Sequence, residues 1–485
     1  MEFCLFRERG DGMDERENVM ENEPADYEAV RDKHIEALGL LLEEHKLKQL
    51  QSELEDIDEF DVAEFLRTLP EHQMAKVFRM LSKEKGAEVF AELESEEQAY
   101  IISTVTDTEL GAIIEEMYLD DAVDLMEELP ANVVKRVMRT ATPETRTLIN
   151  QYLKYPENSA GSIMTAEFID LKKYMSVKES FARIRRIGGD KETIYTCFVT
   201  SADRKLEGVV TVKTMILCED EDEVIENIMN DNVIFAVTTD DQEEVSEMFA
   251  DYDLLAIPVV DRENRLVGIV TVDDVMDVME QEATEDIEKM AAITPTDKPY
   301  LRTSVWETFL HRIPWLLLLM VSATFTGMII TSFEDALAAQ MALSAFIPML
   351  MDTGGNSGSQ SSVTIIRALS LGDVEMEDIF RVIWKELRVS LMVGSTLAAA
   401  NFVKIMLVDV LLLGNGDIST TVAAVICLTL VVTVACAEFV GCTLPILAKR
   451  IGFDPAVMAS PFITTIVDAI SLLVYFSFAK LMLGL

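Results

Sequence analysis

PMLMDTGGNSGSQSS runs from Pro348 to Ser362. It opens as a hydrophobic membrane segment does, then trades apolar side chains for glycine, amide and hydroxyl ones. Within hydrocarbon every backbone polar group must be satisfied inside the protein. Such a break therefore survives only where it is buried against other segments or lines a water-filled path. Its glycines allow close helix approach. They would also let backbone carbonyls and the Asn356 amide face a pore.

Five apolar stretches surround it, at about 313–332, 338–362, 389–412, 420–446 and 457–482. Each reaches the ~20 residues that a hydrocarbon core demands, so residues 311–485 read as a five-span helical domain in a lipid bilayer. Arg302, Arg312, Arg367, Arg381, Lys385, Arg388, Lys449 and Arg450 cluster at one end of these spans. The other end carries the FED and GNGD loops, with Lys404 and Lys480 nearby. By the positive-inside rule the basic end is cytoplasmic. A multi-pass plasma-membrane protein follows, with its N-terminus inside and Leu485 outside.

The net charge of −44 is uneven. Residues 313–485 hold 13 acids and 8 bases, so about −39 of it belongs to the part before the membrane. A surface this acidic repels nucleic acid and attracts divalent cations. The six cysteines are scattered with no C-x-x-C pair, which argues against a disulfide framework or a thiolate metal site. His34, His45, His72 and His311 are equally dispersed. No nucleophile–base pairing stands out, so the chain reads as a non-enzyme.

Residues 1–34 are polar and acidic and predict a disordered tail. Over 35–158 short apolar helices repeat: AEFLRTLPEHQMAKVF from Ala63, AEVFAELESEEQAYII from Ala87 and AVDLMEELPANVVKRV from Ala122. Such units stack into an all-α superhelix; an irregular bundle is the plainer alternative. Residues 159–221 and 222–280 are two copies of one unit. EGVVTVKTMI (207–216) matches VGIVTVDDVM (267–276), and SIMT (162–165) matches NIMN (227–230). Alternating strands and helices in duplicate predict a pair of packed α/β modules. QEATEDIEKM then leads, with the proline-bounded TPTDKP, through 281–310 into the membrane. The predicted fold is thus a multidomain membrane protein: helical superhelix, tandem α/β modules, five-span helical domain.

The last span reads SPFITTIVDAISLLVYF (460–476). Ser460, Thr464 and Asp468 recur at i, i+4 and i+8, with Ser471 at i+11, forming one polar stripe on an apolar cylinder. An acid at mid-membrane costs about 2.5–3.5 kcal/mol on insertion scales, so its default reading is functional. The structural alternative is a protonated acid, or one hydrogen-bonded to a neighbouring helix. Asn356, Ser460, Thr464 and Asp468 offer oxygens of modest field strength and one formal charge. That set suits a hard cation passing with much of its water. Magnesium dehydrates reluctantly and usually meets one or two carboxylates plus waters. No intramembrane His or Cys cluster points to a softer metal. Two other intramembrane acids, Asp352 and Glu438, stay outside this set.

The runs FIPMLMDTGGNSGSQSSVTIIRAL and FDPAVMASPFITTIVDAISLLVYF, with the domain order, resemble the MgtE family of magnesium channels over roughly residues 35–485. The resemblance implies a homodimer with five spans per subunit and a pore at the subunit seam. Asp468 then matches the acid that binds hydrated Mg2+, Asn356 a polar residue of the second span, and Asp454 an acid at the cytoplasmic mouth. Ser460 stands where some members have Asn, Thr464 where some have Ala, and Glu438 where an amide occurs in other members. The duplicated modules resemble cystathionine β-synthase (CBS) domains. Gly268, Thr271 and Asp274 fit their G-x-x-T-x-x-D pattern, in which Thr271 and Asp274 would hold a nucleotide such as ATP. The first copy has Gly208 and Thr211 but Thr214 in place of the acid.

Acids gather before the membrane. Asp274, Asp277, Glu282, Glu285 and Asp286 lie at helical spacings, Asp241, Glu243 and Asp253 in the second module, and Asp120 and Asp124 at i, i+4 with Glu88 one repeat earlier. Like charges ~5 Å apart cost around 3 kcal/mol at an effective dielectric near 20, and Mg2+ between them removes that cost. The resemblance implies that high cytosolic Mg2+ clamps these domains into a closed dimer, the 281–310 segment plugging the pore, and that low Mg2+ releases it. Alternatives are a broader divalent transporter (Co2+, Ni2+) and, from another class, a nucleotide-sensing membrane receptor that moves no ion.

Overall fold

The computed structural model describes residues 27–485 except 297, 299, 302, 415–417, 459, 484 and 485. Most of the expected N-terminal tail, Arg302, the tip of the GNGD loop, Leu485 and the Ser460 side chain lie outside the described residues. The chain divides into two compact units. One runs up to Asp241 and includes Leu255–Thr271; the other joins Gln242–Leu254 to the chain from Val272 onward.

In the first unit, ten helices run from α1 (Tyr27–Glu43) to α10 (Pro143–Tyr152). Helix therefore starts before residue 35, inside the stretch expected to be disordered. Most of the ten span about three turns and stop at proline- or cap-marked joints. Asp58, Ser82, Thr106 and Thr142 each accept a backbone N–H of the helix they precede, which satisfies an otherwise unpaired donor. Alternate helices stack: α3 (Glu59–Thr68) on α5 (Lys83–Ala91), α5 on α7 (Asp107–Glu116), and α7 on α9 (Ala131–Thr140). Phe65, Phe90, Leu110 and Val137 fill the seam. That is the stacked superhelix the repeats predict.

Two three-stranded sheets follow, β1 (Asp170–Leu171), β2 (Thr196–Thr200) and β3 (Leu206–Thr211), then β4 (Ala236–Val237), β5 (Ala256–Val260) and β6 (Leu266–Thr271). In each, the first pair is parallel and the second antiparallel. Even the register slip recurs, at Val199/Thr200 and at Val259/Val260. The copies lean on each other through Phe198, Leu206, Ala256, Val260, Leu266 and Ile269. Their opening motifs are exchanged. A Cβ on Gly208 would sit 2.7 Å from Met229 of the second copy, and one on Gly268 2.7 Å from Met164 of the first. Only glycine allows that mutual approach. Helix α11 (Val177–Ile187) links β1 to β2, and α12 (Val212–Leu217) and α13 (Ile225–Ile228) lie between β3 and β4.

The second unit begins with α14 (Gln242–Tyr252), which packs on α15 (Val272–Met290). Gln242 Nε2 donates to Glu282 Oε1 at 2.6 Å. The helical bundle then comprises α16 (Val305–Ser332), α17 (Glu334–Ala339), α18 (Ile347–Ser370), α19 (Ile379–Lys404), α20 (Thr420–Arg450) and α21 (Ser460–Leu483). Among the described residues four helical stretches are long and apolar enough to cross a membrane: 305–332, 376–412, 420–450 and 455–483. The fifth expected span is α18. Its 24 residues extend about 36 Å, enough to cross, but its glycines, serines and amides make it too polar to qualify by hydropathy.

Helices α18, α20 and α21 pack tightly, α19 lies on α20, and α16 on α21. The core of this bundle is apolar, around Leu343, Phe346, Leu350, Ile426, Tyr475 and Phe476. Tyr475 satisfies its hydroxyl on Leu343 O at 3.0 Å. Past α19 the chain winds into a π-helical turn, Ile405–Leu412, that aligns positions five apart; Lys404 Nζ meets Asp409 Oδ2 there at 2.9 Å.

Candidate ion pathway

The TGGNSG stretch does not interrupt its helix. Residues 347–370 are helical throughout, so their backbone carbonyls are spent on intrahelical bonds and are not offered to a pore. The small residues serve packing instead. Gly354, Gly355, Ser357, Gly358, Ser361 and Ser362 are buried. A Cβ on Gly354 would meet Thr433, Ser471 and Val467; one on Gly355 would lie 3.0 Å from Thr464; one on Gly358 would meet Ile463 and Ala437 O. At the tightest crossing, a Cβ on Gly441 would fall inside van der Waals contact of Gly358 O.

The opposite face of α18 is polar and uncovered. Asp352, Asn356, Gln360 and Thr364 recur every four residues and are all exposed. On a membrane helix such a stripe needs water or another protein surface over it. Asp468 of α21 is half-buried at its margin, and Asp352 lies close enough to act on its charge. Sequence reasoning left out Asp352 and Gln360, although the i±4 spacing about Asn356 was there to be read.

The α21 stripe is narrower than its spacing suggests. Thr464 is half-buried, packs on Gly355, and donates its hydroxyl back to Pro461 O at 3.0 Å. Ser471 is buried and donates to Val467 O at 2.6 Å. It departs from the Asp468 line because three residues turn a helix through about 300°, not a full circle.

At the basic end, Asp454 precedes a 3-10 turn (Pro455–Met458) and accepts the Ala456 N–H at 2.7 Å. Lys289 of α15 bridges it to Glu285, with Nζ 2.6 Å from Asp454 Oδ2 and 2.5 Å from Glu285 Oε1. Burial works against the ammonium, but these carboxylates hold the Lys289 proton above the ordinary lysine range. Burial, then the Asp454 charge, raises the Asp286 carboxyl. Met290 packs against Ile366 and Ala456, so the end of α15 rests on α18 and on the 3-10 turn that precedes α21.

The expected regulatory acids are dispersed. Glu88 lies on the outer side of α5, its carboxyl raised by partial desolvation and then by Glu59. On α8 (Leu119–Glu128), Asp120 is buried and Asp124 exposed; Asp241, Glu243 and Asp253 are exposed. On α15, Asp277 is exposed, its carboxyl raised by burial and then by Glu280 and Asp273, while Asp274, Glu282, Glu285 and Asp286 are half-covered. Among the described residues no three His, Cys, Asp or Glu converge to hold a metal within one chain. Thr271 closes β6 and Asp274 sits in the first turn of α15. In the first copy, Thr211 caps α12 and its hydroxyl lies 2.9 Å from that of Thr214.

Comparison with known proteins accounts for most of the chain. Residues 347–478 match the family model described as a divalent cation transporter, MgtE, 57–158 the MgtE intracellular N domain, and 225–281 a CBS domain. The magnesium transporter MgtE of Thermus thermophilus is 39% identical over 371 residues, 75% of this chain and 80% of that one. The magnesium transporter MgtE of Bacillus subtilis is 33% identical over 452 residues, 92% and 97% of the two chains. A crystal structure of the soluble part of a magnesium transporter is 29% identical, covers 52% of this chain and 99% of its own, and superposes with a TM-score of 0.50. The chain belongs to the MgtE family of magnesium transporters.

Proposed function

We propose that two copies of this chain form a Mg2+-selective channel in the plasma membrane, the ion passing along the seam where the polar face of α18 meets Asp468. The observation that carries this reading is the uncovered row Asp352, Asn356, Gln360 and Thr364. A second copy over that face shields it from lipid and leaves a wet path. Asp468 and Asp352 attract the hydrated ion and bind it through its water shell; Asn356, Gln360, Thr464 and Ser460 offer neutral oxygens. No residue strips the shell, which suits an ion that dehydrates reluctantly. Asp454 stands at the cytoplasmic mouth, and the N-terminal domains lie on that side.

Regulation follows from charge. Cytosolic Mg2+ neutralises acids that meet across the dimer (Glu88, Asp120, Asp124, Asp241, Glu243, Asp253, Asp274, Asp277, Glu282, Glu285 and Asp286) and holds the soluble domains (35–158, 159–221, 222–280) and the 281–310 plug closed. When Mg2+ falls, repulsion parts them and the channel opens. ATP at Thr271 and Asp274 biases the same equilibrium. Mg2+ uptake into proteoliposomes tests the scheme. Flux falls as Mg2+ is raised on the soluble-domain side, and Asp468→Ala abolishes it. Flux indifferent to both changes defeats the reading, and Co2+ or Ni2+ carried as well as Mg2+ replaces selectivity with a broad divalent pathway.

A further inference from the structure

Glu438 lies in the middle of α20, away from the polar face of α18. It is only 5% exposed. Ser357 Oγ donates to its Oε1 at 2.9 Å, while its Oε2 is buried with no hydrogen-bond partner among the described residues. No Lys or Arg pairs with it in the described ion pairs. Four residues along α18, Ser361 donates to Glu386 Oε2 of α19 at 2.7 Å and lies 3.3 Å from the Glu438 carbonyl oxygen. Ser361 thus ties the Glu386 carboxyl to the α20 main chain at Glu438, one turn of α18 from the serine that holds the Glu438 carboxyl.

The groups facing Glu438 can be named element by element. Helix α18 contributes the hydroxyls of Ser357 and Ser361, and α19 contributes Glu386. From α20 itself comes the Cys442 thiol, one turn on. Here α21 packs against α20 with Ile463 and Val467, which bring no charge. An ionised Glu438 would therefore hold a bare oxygen in an apolar interior, with a second carboxylate as its nearest charge. Leaving such an oxygen charged and unpartnered is costly. Glu386 is only half-buried and sits about two turns from the start of α19, among Arg381, Lys385 and Arg388, at the basic end of the bundle.

We propose that Glu438, with Ser357, Ser361 and Glu386 around it, forms a proton-binding site inside each subunit, separate from the Asp468 path and exchanging with the basic side, where Glu386 lies. On release, the proton leaves a Glu438 carboxyl oxygen and is taken up by water at the basic side; loading is the reverse. The charge left behind lies beside the tightest helix crossing, Gly358 against Gly441, and its partner Ser357 adjoins Asn356 of the polar face. Proton occupancy thereby sets how firmly α18 is held on α20 beneath the ion path.

Infrared spectroscopy of the purified protein in lipid tests this without relying on transport. At neutral pH the wild type shows a carboxylic-acid C=O band that shifts in D2O. Glu438→Gln, a neutral isostere, loses it. Ser357→Ala keeps the band but moves its frequency, because the hydrogen bond to Oε1 is gone; this arm stands even if the first variant folds poorly. Asp468→Asn loses Mg2+ flux and keeps the band, so failure of the ion-path reading and failure of this one are told apart. Above the site's pKa the band fades about tenfold per pH unit. A band unchanged in Glu438→Gln, its absence from the wild type at neutral pH, or a Glu438 carboxylate signal that moves with added cation would overturn the proposal, the last by making this a metal site.

Discussion

Helix α18 has two faces made from one short alphabet of small and polar residues, and they do opposite things. Its inner face, Gly354, Gly355, Ser357, Gly358 and Ser361, is buried against α20 and α21. Its outer face, Asp352, Asn356, Gln360 and Thr364, is exposed. Small size is the functional property of the first: without side-chain bulk two backbones come into direct contact. Polarity marks the second, because in a membrane an exposed polar face needs water or another protein surface over it. A polar stretch within a span is therefore not one signal but two, separated by about half a helical turn.

The largest effect is expected from breaking the inner face. Gly441→Val drives a side chain into the Gly358 backbone, which has no flexible end to yield. Overpacking a core typically costs about 1–3 kcal/mol, and more where nothing can move, so this variant should lose its monodisperse peak and its cooperative melt in detergent. A stable, well-folded Gly441→Val protein would mean that the helices do not cross there.

Changes on the outer face should spare folding and cost transport. Asp468→Asn is expected to lower Mg2+ flux at least tenfold, about 1.4 kcal/mol of ion stabilisation, with the melting temperature kept or raised because a half-buried charge has gone. Asp352→Asn is expected to lower flux by a smaller, several-fold factor and to weaken competition by other divalent ions. If Asp352→Asn instead unfolds the protein and leaves flux per folded molecule intact, that acid belongs with the inner face.

The smallest effect concerns the bridge from Lys289 of α15 to Asp454. An ion pair as accessible as Lys289 with Asp454 and Glu285, with 24% of the lysine and 34% of the aspartate side chain exposed, is worth up to about 1 kcal/mol. Lys289→Met should therefore raise the internal Mg2+ needed for closure by no more than roughly fivefold. An unchanged closure curve would show that the bridge contributes nothing to docking α15.

Much of this was legible in the sequence. The duplicated EGVVTV and VGIVTV strands gave two sheets of the same topology because alternation and turn spacing are local signals. Repeats ending at Pro or at cap residues gave the stacked helices for the same reason. Helix from Tyr27 was missed because YEAVRDKHIEAL is rich in charge, and its burial is set by packing that composition does not report. In the membrane unit, glycine pairs read as a break when in fact neighbouring helices hold them in register. Ser471 was assigned to the Asp468 stripe by spacing alone. Which of two near-equivalent helix lines faces inward depends on the packing of α18, a tertiary fact. Asp352 and Glu438 show the same limit: as bare letters they are two intramembrane acids, and only the fold separates the one on an open polar face from the one sealed beside Ser357.

The proposed channel stands or falls with the exposed face of α18 lining a watery seam between two copies. In a background with the six native cysteines replaced, Asn356→Cys in reconstituted protein reports on it directly. A watery seam gives reaction with a small, charged, lipid-insoluble thiol reagent, slowed by Mg2+, and disulfide cross-linking of the two copies under mild oxidation. A thiol at 356 that labels only with lipid-soluble reagents and never cross-links would place this face in hydrocarbon and rule out such a seam.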